Sequence, residues 1–228
     1  MFSVGIGPSS SHTVGPMSAG LAFSTELCAL PDCSGLHLVC VELFGSFGAT
    51  GRGHDTDRAV LLGLAGYDPE TVSIDTVESV IPSIASSGML PFAGGRDIPF
   101  DIEADIRFLP RTVLPYHVNG MTLTAYCASG AEILRRTYYS VGGGFVMEDV
   151  GTPGAPSIQA LATASASQAH ATPAPFPFTT SAAMLAICER EGLSVSDVVL
   201  ANELSARSRE EGMAYLDRLR GTKGDRKK

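Results

Sequence analysis

The sequence has no uninterrupted apolar run long enough to span a bilayer. It also has no basic, apolar, cleavable leader, because Met1-Phe2-Ser3-Val4 leads straight into a polar stretch bracketed by Gly-Pro. The expected location is therefore the cytoplasm, with no membrane partner. Basic charge is scarce. There are 16 Lys and Arg against 24 Asp and Glu, for a formal net charge of −8. That balance speaks against nucleic acid or an anionic membrane surface as partner. Cysteine is too sparse and too irregular for a framework. Cys28, Cys33, Cys40, Cys127 and Cys188 are an odd set, and Cys28 and Cys33 do not form C-x-x-C. Cys40 lies in a strand-like run and Cys188 in a helical run, where buried free thiols are expected. No metal-ligand set is assigned in this chain. There is no internal repeat.

What is present is a 228-residue chain with 44% hydrophobic and 18% charged residues. That composition suits a folded chain of one or two domains with a real core. Val14, Met17, Leu21, Ala22 and Leu27 recur at helical spacing over 13–30, up to Pro31. The run LHLVCVELF, Leu36 to Phe44, predicts a strand. Four glycines in Gly45 to His54 predict a loop that lets backbone approach something closely. Asp55-Thr56-Asp57 caps a helix to about Leu64, and another helix covers Val77 to Ala85. Ile98–Ile102 and Ile106–Phe108 are strand-like, with Pro99 marking an edge. Leu114 to Gly120 is a turn. Met121–Cys127 and Ile133–Ser140 form a hairpin around Ser129-Gly130, and Gly142-Gly143-Gly144 breaks its second strand. The pattern is α+β, a sandwich of a mostly antiparallel sheet with helices over 1–148. Residues 149–177 are rich in Ala, Ser, Thr and Pro and read as a linker. Helix returns over 178–220, and 221–228 is a charged tail. The apolar faces holding Leu200, Leu204 and Leu216 have no obvious cover and favour association.

Three places offer chemistry. Ser9, Ser10, Ser11, His12 and Thr13 lie between Gly-Pro pairs at a helix start. Those residue types fit a capped helix start, and they equally fit a small-anion site with the positive helix end behind it. His54 sits on a glycine-rich segment before Asp55 and Asp57, where it is either a surface group or a proton carrier oriented by a carboxylate. A metal site from His54, Asp55 and Asp57 is a third reading, but one histidine and two neighbouring acids fall short of a ligand set. His117 and Asn119 fit a solvated turn or a polar binding pair. His37 and His170 are assigned no role.

Five stretches, in order, carry a resemblance: GIGPSSSHTVGPM, ELFGSFGATGRGHDTDRAVLLGLAG, LPYHVNGM, TYYSVGGGF and PFPFTTSAAMLAICEREGLSVSDVVLANEL. Together they resemble the iron–sulfur-dependent bacterial L-serine dehydratases, over nearly all of residues 4–207. The resemblance implies conversion of L-serine to pyruvate and ammonia, with a 4Fe-4S cluster acting on the departing hydroxyl. It implies that 1–148 is the family's β domain, similar to the allosteric substrate-binding domain of phosphoglycerate dehydrogenase, and that 178–220 begins a helical catalytic α domain. It places the family's proton-transfer histidine on His54. The substrate-facing serine loop falls on Ser9, Ser10, Ser11, His12 and Thr13, and a second, activating serine site on His117 and Asn119. It also implies a homodimer. The cluster-bearing part of the family has no counterpart here, and none of the five cysteines matches its motif. The expectations are a truncated gene, a split enzyme whose cluster-bearing α domain or subunit is separate, or a serine-binding module without catalysis.

Overall fold

The computed structural model describes residues 9–31, 35–93, 95–152, 155–161 and 174–205. The apolar periodicity after Thr13 becomes helix α1, Val14–Ala29, which buries Met17, Ala19, Phe23 and Leu27. The helix stops where Leu30 turns extended, at ψ 142°. Proline disfavours the helical region for the residue before it, and Pro31 follows. Strand β1, Leu36–Phe44, alternates as its sequence demands, with Val39, Val41 and Leu43 fully buried.

Beyond β1 come α2 (Gly45–Thr50), a 3₁₀ turn (Arg52–His54), α3 (Thr56–Leu64) and α4 (Ile74–Ser87). A two-stranded ribbon, β2 (Met89–Phe92) and β3 (Arg96–Pro99), leads to the single turn α5 (Ile102–Asp105) and strand β4 (Ile106–Leu109). Strands β5 (Gly120–Cys127), β6 (Glu132–Gly142), β7 (Phe145–Asp149) and β8 (Ile158–Ala160) follow. The main sheet has six strands in the order β4-β1-β5-β6-β7-β8. The β1–β4 pair is parallel and every other neighbouring pair is antiparallel. The result is an α+β unit with a mixed, mostly antiparallel sheet.

Its core joins one sheet face to α1, α3 and α4 through Phe23, Leu27, Val41, Leu62, Ile84 and Leu123. Each such fully buried aliphatic or aromatic side chain contributes roughly 1.5–3 kcal/mol. Helices α1 and α3 meet backbone to backbone. A Cβ on Gly63 would lie 2.1 Å from the Met17 carbonyl oxygen, and one on Gly20 would lie 2.6 Å from that of Val60. Arg136 also points to the core face. It is held by Glu26 of α1 and lies 3.4 Å from Glu148 of β7. Burial and the negative charge of Glu26 push the Glu148 carboxyl up, against the pull of Arg136.

The second unit contains helices α6 (Ser181–Glu191) and α7 (Val195–Ser205) and packs its own small core of Met184, Ile187 and Val198. Asn202 ties the preceding segment to α7: its Oδ1 accepts from Phe176 N at 2.9 Å and its Nδ2 donates to Phe176 O at 2.8 Å. No helix among the described residues is long and apolar enough to cross a membrane.

Several expectations are corrected. The glycine-rich segment 45–54 is a helix and a 3₁₀ turn rather than a loop. Two of its glycines serve close packing: a Cβ on Gly48 would lie 2.6 Å from Leu109 C, and one on Gly51 would lie 2.3 Å from Phe47 O. Thr13 and Asp55 occupy cap positions but neither side chain caps. Strands β2, β7 and β8 were not foreseen, because each is short and lacks clear alternation. Strand β8 falls within the stretch read as a linker. Asp149 Oδ1 accepts from Gly151 N and Ser157 N, both at 2.9 Å, and folds that stretch back onto β7. Cys40 and Cys188 are half-buried, not buried. Cys33, His170, Leu216, the helical reading beyond Ser205 and the tail 221–228 lie outside the described residues.

Candidate functional site

The loop before α1 is wound around one carbonyl. Ser9 O accepts from His12 N and Thr13 N, both at 3.0 Å, and from Thr13 Oγ1 at 2.8 Å. The Thr13 hydroxyl is thereby turned back into the loop, which is why it does not cap. Ser10 remains exposed, while His12 and Thr13 are buried. The winding directs His12 inward to α2. Its Nδ1 lies 3.1 Å from Ser11 Oγ, and Ser11 Oγ lies 3.1 Å from Ser9 Oγ. Its Nε2 lies 3.1 Å from Thr50 Oγ1 and 3.4 Å from Ser46 Oγ. The ring stands edge-on to Phe47, with centroids 5.1 Å apart.

His54 arrives from the other side. The 3₁₀ turn ends in Asp55, whose φ of 58° is the left-handed conformation that Asp tolerates better than most side chains. That turn holds His54 Nδ1 at 3.0 Å from Thr50 O. The two imidazole centroids lie 4.9 Å apart. Burial, reinforced by the charge of His54, pushes the His12 pKa down. His12 is therefore neutral at neutral pH, and the pair does not carry two positive charges.

His117 and Asn119 sit at the same end of the sheet. Asn119 N donates to His117 Nδ1 at 3.1 Å, and Asn119 Nδ2 donates to Ser140 O at 3.2 Å. Their loop is pinned to α2: Ser46 N donates to Val118 O at 3.0 Å and Gly45 N to Thr112 O at 2.8 Å. Ser140 in turn packs against the first turn of α1, where a Cβ on Gly15 would lie 2.2 Å from Ser140 Oγ. The Ser140 hydroxyl is buried without a hydrogen-bond partner among the described residues. Gly144 lies against Val14. The serine loop, His54, the His117–Asn119 turn and the Gly142–Gly144 turn thus converge on one end of the sheet.

Sequence reasoning missed Ser46, Thr50 and Ser140. Ser46 and Thr50 are four apart and share a helix face, a signal hidden by reading the glycine-rich segment as a loop. Ser140 carries no local signal. Just beyond His54, Thr56 Oγ1, Asp57 Oδ1 and Arg58 Nε are buried without partners among the described residues, and burial raises the Asp57 carboxyl. Asp55 pairs with Arg58 at 3.4 Å.

Among the described residues no group of three or more His, Cys, Asp and Glu is placed to hold a metal. The four described cysteines, Cys28, Cys40, Cys127 and Cys188, lie on α1, β1, β5 and α6. They do not fit an iron–sulfur cluster, which takes converging thiolates. A cavity of about 620 Å³, lined by His37, Leu38, Ile84, Phe100 and Ile102 among others, opens elsewhere and touches none of the cluster.

The fold and the cluster together define an α+β unit that gathers hydroxyls and imidazoles at one sheet end. The chain belongs to the serine dehydratase beta chain family, whose family model matches residues 1–150. It is 44% identical over 211 residues to an L-serine dehydratase of Streptomyces coelicolor, covering 92% of this chain and 44% of that protein. It is 38% identical over 220 residues to an L-serine dehydratase of Haemophilus influenzae, covering 95% and 45%. It is 41% identical over 217 residues to L-serine dehydratase TdcG of Escherichia coli, covering 92% and 44%. The chain spans about half the length of these relatives.

Proposed function

We propose that this chain supplies the substrate-anchoring and proton-handling part of an L-serine dehydratase, which takes L-serine to pyruvate and ammonia. The observation that carries this reading is the meeting of the serine loop and His54 around Thr50, within a chain of the serine dehydratase beta chain family. The loop of Ser9, Ser10, Ser11, His12 and Thr13 anchors the substrate carboxylate at the start of α1, with the exposed Ser10 hydroxyl as donor and the other four residues shaping the loop. His54 takes the α-proton, a weak acid that needs a well-placed base. His117 and Asn119 form a second, activating serine site, as the resemblance to the L-serine dehydratases suggests. The 4Fe-4S cluster implied by the resemblance finds no ligands among the described residues. The mismatch favours a second reading. The chain acts as the β component of a two-part enzyme, or as a serine-binding module, with a cluster-bearing α domain or subunit as partner and L-serine as ligand. On either reading the protein works in the cytoplasm as a homodimer.

Calorimetry with L-serine tests the reading. The chain is expected to bind L-serine, and Ser10→Ala to weaken binding by roughly 10- to 100-fold, the worth of one hydrogen bond to a charged group. His54→Asn is expected to leave binding nearly intact, since a base for the α-proton is not needed for docking. Absence of serine binding, or indifference to Ser10→Ala, refutes the substrate-anchoring role.

A further inference from the structure

We infer that Thr50 is a positioning residue that assigns the proton of both imidazoles, His12 through its hydroxyl and His54 through its carbonyl. A threonine hydroxyl has one hydrogen, and Thr50 Oγ1 donates it to Ser46 O at 2.9 Å, one helical turn back. Toward His12 Nε2, at 3.1 Å, the same oxygen therefore only accepts, and His12 carries its hydrogen on Nε2. In the neutral ring Nδ1 is then a bare acceptor, so Ser11 Oγ donates to it across 3.1 Å. With its hydrogen spent, Ser11 Oγ accepts from Ser9 Oγ. The run of donors is directional, from Ser9 to Ser11 to His12 to Thr50 to the Ser46 carbonyl.

The carbonyl of Thr50 makes the complementary choice for the second ring. A carbonyl oxygen only accepts, so His54 Nδ1, 3.0 Å away, bears the hydrogen. In neutral His54 this leaves the Nε2 lone pair bare. Among the described residues His54 is the one of the two imidazoles with an uncommitted ring nitrogen, because both nitrogens of His12 are engaged. One residue thus sorts two neighbouring histidines into a fixed structural ring and a ring with a free basic nitrogen. The catalytic meaning of that free nitrogen rests on the proposed role of His54. The tautomers do not.

Nitrogen NMR of the histidine-labelled full chain at neutral pH tests this without any turnover, using His→Gln variants for assignment. The expected result is His12 with a protonated Nε2 and bare Nδ1, and His54 with the reverse. Thr50→Val keeps the shape and removes the hydroxyl. It is expected to bring up a second His12 tautomer with hydrogen on Nδ1, while His54 stays unchanged because the carbonyl remains. Thr50→Ser restores the wild-type pattern, and Ser46→Ala, which removes only the 3.4 Å neighbour, leaves it in place. A wild-type His12 protonated on Nδ1, a wild-type His54 protonated on Nε2, or a His12 tautomer indifferent to Thr50→Val overturns the inference. The wild-type measurement decides the matter even where a variant does not fold. Failure of serine binding in calorimetry strikes the proposed function and leaves these tautomers standing.

Discussion

His12 is a titratable group held neutral inside a cluster of hydroxyls, and this has a consequence for stability. Its pKa is lowered in the fold, first by burial and then by the charge of His54. The unfolded chain therefore binds a proton on this residue more readily than the folded one. Stability from this group is complete above the ordinary histidine value of about 6.5 and is lost as pH falls through that value toward the lower folded one. Urea midpoints at pH 8 and pH 5.5 are expected to show this decline. His12→Gln, which cannot take up the proton, is expected to show a smaller decline than the wild type. An equal decline in both assigns the pH response to other groups.

At the level of elements, the crossing of α1 and α3 depends on two glycines that allow backbone contact. An added methyl on Gly63 meets the Met17 carbonyl at 2.1 Å, so the helices must separate. Gly63→Ala is expected to lower stability by about 1–3 kcal/mol, the range for overpacking a core, read from the denaturant midpoint. Gly53, beside His54, has nothing within 4 Å of an added methyl and no positive φ. Gly53→Ala is expected to be neutral or to stabilise by about 0.4–1 kcal/mol through the unfolded state. Equal losses at both positions refute the claim that packing, rather than glycine freedom, sets the crossing. Helix α2 shows the same principle. Composition made 45–54 a loop, yet Gly48 and Gly51 lie where a methyl would strike backbone, and the helix they permit carries Ser46 and Thr50 to the histidines.

At the scale of the chain, what matters is that the described cysteines are not gathered. The described cysteines lie on four different elements of two units. Anaerobic treatment of the chain with iron and sulfide is therefore expected to give no stoichiometric cluster absorption, and serine to give no pyruvate from the chain by itself. A stoichiometric cluster with serine-dependent pyruvate reverses the view that a separate partner carries it.

Much of the architecture was legible in residue order. The β1 limits, the starts and ends of α1 and α3, and the β5–β6 hairpin follow from apolar periodicity, Pro31 and Ser129-Gly130, because these signals act over a few neighbouring residues. The polar loop at 9–13 and the histidine at 54 also stood out as types suited to a small polar ligand. What only the tertiary structure decided is that these stretches meet. The strand ends bring the 9–13 loop, α2, the 117–119 turn and Ser140 to one edge of the sheet. There Thr50 reaches both histidines, with its hydroxyl toward one and its carbonyl toward the other. No spacing along the chain encodes that meeting, because it depends on how β1, β5 and β6 pair and on two glycines letting α1 close against α3.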